Sequence, residues 1–153
     1  LPTDRRETKD ERLDRNWNEL LQEMRVMQTG AQLIAGFLLT LPFQSAFSDL
    51  DDAQRWLYLG LVILAGVTTA LIMVPIAVHR RLFGRGVKER LVLTAHRLVT
   101  VVLTAIGLLI VGITTLIFDV VVDRTAAYIA GGSMLLTVLA LLVVVPLAVG
   151  GDE

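Results

Sequence analysis

The chain has 153 residues, is 54% hydrophobic and carries a formal net charge of −1. That apolar share exceeds the roughly 45–50% of an ordinary soluble domain, and near-neutrality points to no partner selected by bulk charge. With no cysteine, the chain has no disulfide, thiolate metal site or thiol nucleophile.

The charges gather at residues 4–25 and 79–97, with short breaks at 49–55 and 119–124. Between them lie apolar runs of about 20 residues or more, the length that crosses a ~30 Å hydrocarbon core. In a bilayer each run must satisfy its own backbone, so helices are expected. Residues 1–15 are highly polar and read as a charged, disordered tail, not as a cleavable signal peptide. In "NWNE", Asn16 and Glu19 stand at capping-box spacing, which predicts a helix starting near Trp17. Leu13, Trp17, Leu20, Leu21 and Met24 share one face of it, while Glu19, Glu23 and Arg25 point elsewhere.

The first span is predicted at 26–47, with Pro42 near its outer end. A helix unbroken from Trp17 is ~46 Å long, so two or three turns should extend into the cytoplasm or bend along the surface. Within "RVMQTGAQLIAG", Gln28 and Gln32 share a face that Gly36 and Thr40 continue. An amide facing lipid leaves its donors unpaired. These side chains are therefore expected in polar packing against another helix or in the lining of a hydrated cavity.

The second span, 56–78, carries Gly66 and Ala70 at a spacing that suits close helix approach. Beyond it runs the basic loop "HRRLFGRGVKER", with His79, Arg80 and Arg81 at its start. His96 and Arg97 open the third span, 98–118. The 79–97 segment suits anionic lipid headgroups and could meet Glu19 and Glu23. The two histidines lack a third ligand, so they read as interfacial residues beside snorkelling arginines. Asp119 and Asp123, past the third span, are expected to be solvated. The fourth span is predicted at 126–149.

Lysine and arginine counts set the expected direction. The N-terminal segment and the 79–97 loop hold 12 of them and the opposite side only Arg55 and Arg124. Both termini should then be cytoplasmic, in a multi-pass protein of the inner (plasma) membrane. Trp56, Tyr58 and Tyr128 would mark the outer interface. "MVPIAV" (73–78) and "VVPLAV" (144–149) echo each other at an offset that also pairs Thr29 with Thr100, Gly36 with Gly107 and Gly60 with Gly131. This would suit two parallel hairpin repeats with matching kinks at Pro75 and Pro146.

The stretches "DRNWNELLQEMRVMQTGAQLIAGFLLTLPFQ" (14–44), "LDDAQRWLYL" (50–59) and "VPIAVHRRLF" (74–83) resemble a family of small actinobacterial membrane proteins, domain of unknown function 6328. The resemblance implies an integral membrane protein of four helices and carries no catalytic residue with it.

The expected architecture is thus all-α, a transmembrane four-helix bundle with its first helix extended into the cytoplasm. The four spans contain no Asp, Glu, Lys, Arg or His. A buried charge is what normally marks an ion or proton path. No nucleophile–base pair or metal set is present, so neither an enzyme nor a cofactor is expected. The basic loop lacks the aromatic context of a nucleic-acid site. The reading is a structural or accessory subunit acting by helix packing, as a homo-oligomer or within a membrane complex. The alternative is an oligomeric small-solute or ion transporter or channel with a Gln/Thr-lined cavity.

Overall fold

The structure is a computed structural model that describes residues 8–82 and 88–149. Four long helices pack as an all-α bundle: α1 (Lys9–Thr40), α2 (Asp52–Leu82), α3 (Lys88–Val121) and α4 (Arg124–Leu139). Their apolar stretches, Asp14–Phe43, Asp52–Pro75, Arg97–Val121 and Arg124–Ala148, are each long enough to cross a membrane. These match the four expected spans.

The start of α1 corrects the sequence reading. Its capping box is Thr8 with Glu11, not Asn16 with Glu19. The Glu11 N–H donates to the Thr8 hydroxyl at 3.3 Å, and the Glu11 carboxylate accepts the Thr8 N–H at 2.9 Å. The carboxylate also accepts the Thr8 hydroxyl at 2.8 Å, and the two bonds it accepts, the backbone one first, hold the Glu11 carboxyl below its ordinary value. Residues 9–15 are helical instead of part of a tail. Past these first turns, Trp17, Leu20 and Met24 bury against Ile72 of α2 and Val99 and Val102 of α3.

At its other end α1 stops at Thr40, short of the expected Phe47. Pro42 has no N–H to give the carbonyl of Leu38, and its ring crowds that carbonyl. The chain continues through 3₁₀ turns at Leu41–Phe43 and Ser45–Asp49. The Leu38 carbonyl accepts the Leu41 N–H, in a tighter final turn, and also the Tyr58 hydroxyl at 2.9 Å. Tyr58 is 4% exposed and meets the Phe47 ring edge-on at 5.1 Å. It therefore points into the bundle, contrary to its expected interfacial place, while Trp56 and Tyr128 are exposed.

The core forms two clusters. One holds Trp17, Leu20, Met24, Ala31, Ile72, Val99 and Val102. The other, toward the opposite end, holds Leu38, Tyr58, Leu61, Ala65, Leu109 and Leu116. α1, α2 and α3 all touch one another, whereas α4 packs on α3 alone. Close approach makes that seam: Gly131 of α4 lies against the Thr115 side chain, and a Cβ on Gly107 would stand 2.7 Å from Val138. Only 6% of the apolar window of α4 is buried, against 28% for α2 and α3. Past Leu139 the helix widens into a π turn, Ala140–Val144, before the last turn, α5 (Val145–Val149). A wide turn here accommodates Pro146, which lacks the N–H a regular helix needs.

The internal echo does not extend to packing. Gly36 and Gly60 face open space, whereas Gly107 and Gly131 sit against side chains. Pro75 lies within an α-helix that runs to Leu82, without the π turn that precedes Pro146. Gly66 and Ala70 also face outward and make no helix contact within the chain.

The Pro42–Leu38–Tyr58 arrangement can be tested by a double-mutant cycle. Tyr58→Phe should destabilise the fold by about 1 kcal/mol, since the Leu38 carbonyl keeps the Leu41 N–H but loses its hydrogen bond to a second helix. Adding Pro42→Ala restores a backbone N–H near Leu38, so the pair should cost less than the sum of the singles in unfolding measurements in detergent.

Candidate functional site

Polar side chains inside the spans fall into two groups. The first is satisfied locally. Thr68, the one buried polar residue among those described, donates to the Leu64 carbonyl at 2.7 Å. Thr29, Thr40, Thr69, Thr104, Thr114, Thr115, Ser133 and Thr137 likewise donate to backbone carbonyls of their own helices. Such bonds remove a hydroxyl's need for an outside partner.

The second group is the pair of amides. Gln28 is half-buried and Gln32 is exposed. Neither forms a hydrogen bond among the described residues. Gln32, Gly36 and Thr40 follow one another up the outward face of α1, with Leu33 and Phe37 beside them. The structure thus joins Gln32 to Thr40 on one surface and turns Gln28 toward the bundle's edge. An amide held in hydrocarbon without a partner costs on the order of 4–8 kcal/mol on a cyclohexane scale.

At the end of the bundle where α1 begins, Arg25 and Arg97 are exposed beside the apolar stretches. Glu19 and Glu23 are exposed as well. Glu19 pairs with Arg15 at 3.8 Å, one turn earlier on the same helix. The side chains of His79, Arg80, Arg81 and His96 lie outside the described residues. Among the described residues no group of three His, Asp or Glu could hold a metal.

At the opposite end a polar clasp ties three helices. Asp51 and Gln54 cap α2 reciprocally: the Gln54 N–H donates to the Asp51 carboxylate at 2.8 Å, and the Asp51 N–H donates to the Gln54 side chain at 3.0 Å. Arg124, the first residue of α4, pairs with both Asp51 and Asp119, the latter at 3.1 Å. The Gln54 amide adds a bond to the Asp119 carbonyl at 3.4 Å. The Asp119 side chain is only 7% exposed. The expected solvated aspartate is instead enclosed, because Arg124 supplies the charge that makes its burial tolerable. Asp123 is exposed and caps α4, accepting the Ala126 N–H at 2.8 Å.

Beside the clasp two adjoining hollows, about 210 and 370 Å³, share Leu41, Leu116 and Ile117. Thr40 and Gln44 are their polar lining residues; the remaining walls are aliphatic and aromatic. This is a surface for hydrocarbon, and it offers no chain of polar groups to a solute.

The model of a family of unknown function, DUF6328, matches residues 6–146. The chain belongs to this family. No curated protein and no solved structure matches the chain. The DUF6328 match covers the first three apolar stretches, the fourth up to Pro146, and the clasp residues Asp51, Asp119 and Arg124. Sequence reading missed the clasp. The signal was present in "LDDAQ", an acid–x–x–Gln pattern before an apolar run, which is a capping box.

The clasp gives this DUF6328 protein a pH dependence of known sign. The Gln54 backbone N–H, with Arg124 adding to it, holds the Asp51 carboxyl below its ordinary value. A carboxyl depressed in the folded state stabilises the fold above its unfolded pKa of about 3.9, and that contribution is lost as pH falls through the folded value. Asp51→Asn keeps an acceptor for Gln54 but loses the charge. Thermal unfolding followed from about pH 6 to about pH 3 should show a shallower acid decline in that variant than in the native chain.

Proposed function

We propose that the protein is a structural or accessory component of the membrane that acts by lateral helix packing, in a homo-oligomer or as a subunit of a larger complex. The observation that carries this reading is the placement of polarity. The interior of the bundle is filled with apolar side chains, its buried hydroxyls are bonded, that of Thr68 to its own helix and that of Tyr58 to Leu38, and the unpaired amide of Gln32 faces outward. Whatever that amide does, it does between molecules.

In this reading both termini and the 79–97 loop are cytoplasmic, with the loop's cations on anionic headgroups. The exposed arginines Arg25 and Arg97 at that end of the apolar stretches support the same direction. A second reading, an oligomeric transporter or channel, draws on the same ridge: Gln32 and Thr40 would line a path between copies and not within one.

The two readings separate experimentally. The full chain, extracted in mild detergent, should run as a discrete oligomer or with a stoichiometric partner, and a monomer in both detergent and bilayers would contradict lateral packing. Reconstituted liposomes should show no solute or ion flux. Flux that is present in the native chain and lost in Gln32→Leu would favour transport instead.

A further inference from the structure

We infer that the outward ridge Gln32–Gly36–Thr40 of α1 is where two copies of this chain associate, side by side and parallel, with their Gln32 amides hydrogen-bonded to each other. This rests on the lateral-packing reading above and names its partner and its surface.

Three features of the ridge converge. The first is an unmet hydrogen-bonding need. The hydroxyls of Thr29, Thr40, Thr68 and Thr69 bond to their own helices, while the Gln32 amide bonds to nothing among the described residues. Gln32 lies seven positions past Arg25, ~10 Å along the axis, too deep for its short side chain to reach the headgroups. The second is room for close approach. One turn on, a Cβ at Gly36 would meet nothing within 4 Å, so the helix backbone is bare on this side. The third is apolar contact area: Leu33 and Phe37, 61% and 74% exposed, stand beside the ridge.

The chemistry favours a second copy over an unlike partner. A primary amide both donates and accepts, so it is complementary to itself. Membrane insertion orients every copy the same way, and a two-fold axis along the normal then sets each Gln32 beside its equivalent at equal depth. Helices that cross at Gln32 and Gly36 diverge toward their ends, which keeps the two Arg25 side chains apart. The outward Gly66 and Ala70 of α2 offer small residues without an unpaired polar group, so that face serves as the comparison.

The chain has no native cysteine, so single cysteines report contacts directly. Leu33→Cys and Phe37→Cys place a thiol beside the ridge, Ile63→Cys on the outward face of α2 and Leu136→Cys on that of α4. In lipid vesicles at low protein density, oxidation should cross-link the first two into homodimers well ahead of the others. Adding Gln32→Leu should lower the dimer yield by about three- to tenfold, the range expected for one interhelical hydrogen bond. Gly36→Ile should lower it as well. Both changes fall on exposed positions, so folding is kept. Cross-linking strongest at 63 or 136 would overturn this interface while leaving lateral packing intact. Capture of a different protein at 33 or 37 would overturn the second copy and keep the accessory reading. Dimers at 33 and 37 indifferent to both Gln32→Leu and Gly36→Ile would overturn the amide pairing. No association by any route would overturn both readings.

Discussion

Hydrocarbon contains no water, so every donor and acceptor that enters it must find a partner in protein. That constraint orders the whole chain. Backbone groups are satisfied by helix formation, which is why the four apolar runs are helices. Hydroxyls are satisfied by the carbonyls of their own helices, as Thr68 is by Leu64 and Thr115 by Val111. Where Pro42 ends the regular helix, the Leu38 carbonyl takes the Leu41 N–H and adds the hydroxyl of Tyr58, which lies in the core. The ladder of satisfied groups then stops at Gln28 and Gln32 of α1. An amide is too long to bond its own helix as a hydroxyl does, and Gln32 has no neighbouring helix to meet.

Packing follows from where small residues lie. α3 touches α1, α2 and α4, and Gly107 on α3 and Gly131 on α4 let those two lie close. Among the described residues α4 packs on no other long helix, so its attachment depends on that seam and on Arg124 at its first turn. Arg124 joins the start of α4 to the cap of α2 and the end of α3. One cation therefore fixes the relative positions of three helix ends and encloses Asp119 in doing so. At the opposite end, apolar contacts do the fastening, through Trp17, Leu20 and Met24 against α2 and α3.

Much of this was legible in the sequence. Hydropathy located the four spans, because length and apolarity are what a bilayer tests. The face shared by Gln32, Gly36 and Thr40 followed from helical geometry. What stayed hidden was which way each face turns. Gln32 could have met a neighbouring span and instead looks outward, since the choice is made by packing partners and not by α1 itself. The small pair Gly66 and Ala70 turned outward for the same reason. The Asn16–Glu19 spacing predicts a start for α1 near Trp17, whereas the Thr8–Glu11 box, of the same acid-at-three pattern, starts the helix earlier. Asp119 looked like a solvated edge residue because its partner, Arg124, also pairs with Asp51 across the loops, a contact with no local signature.

In the proposed reading the unmet polarity of this bundle lies between molecules and is carried by a single side chain, the amide of Gln32. The direct measurement is solid-state NMR on a mixture of two preparations in lipid bilayers, one carrying ¹⁵N and the other ¹³C in the glutamine side-chain amides, with Gln28→Leu in both to simplify assignment. The account predicts magnetisation transfer between the Gln32 amide nitrogen of one chain and the Gln32 carbonyl carbon of another, abolished by diluting the labelled chains with unlabelled protein. A Gln32 amide that exchanges magnetisation with water and with no second chain would contradict it.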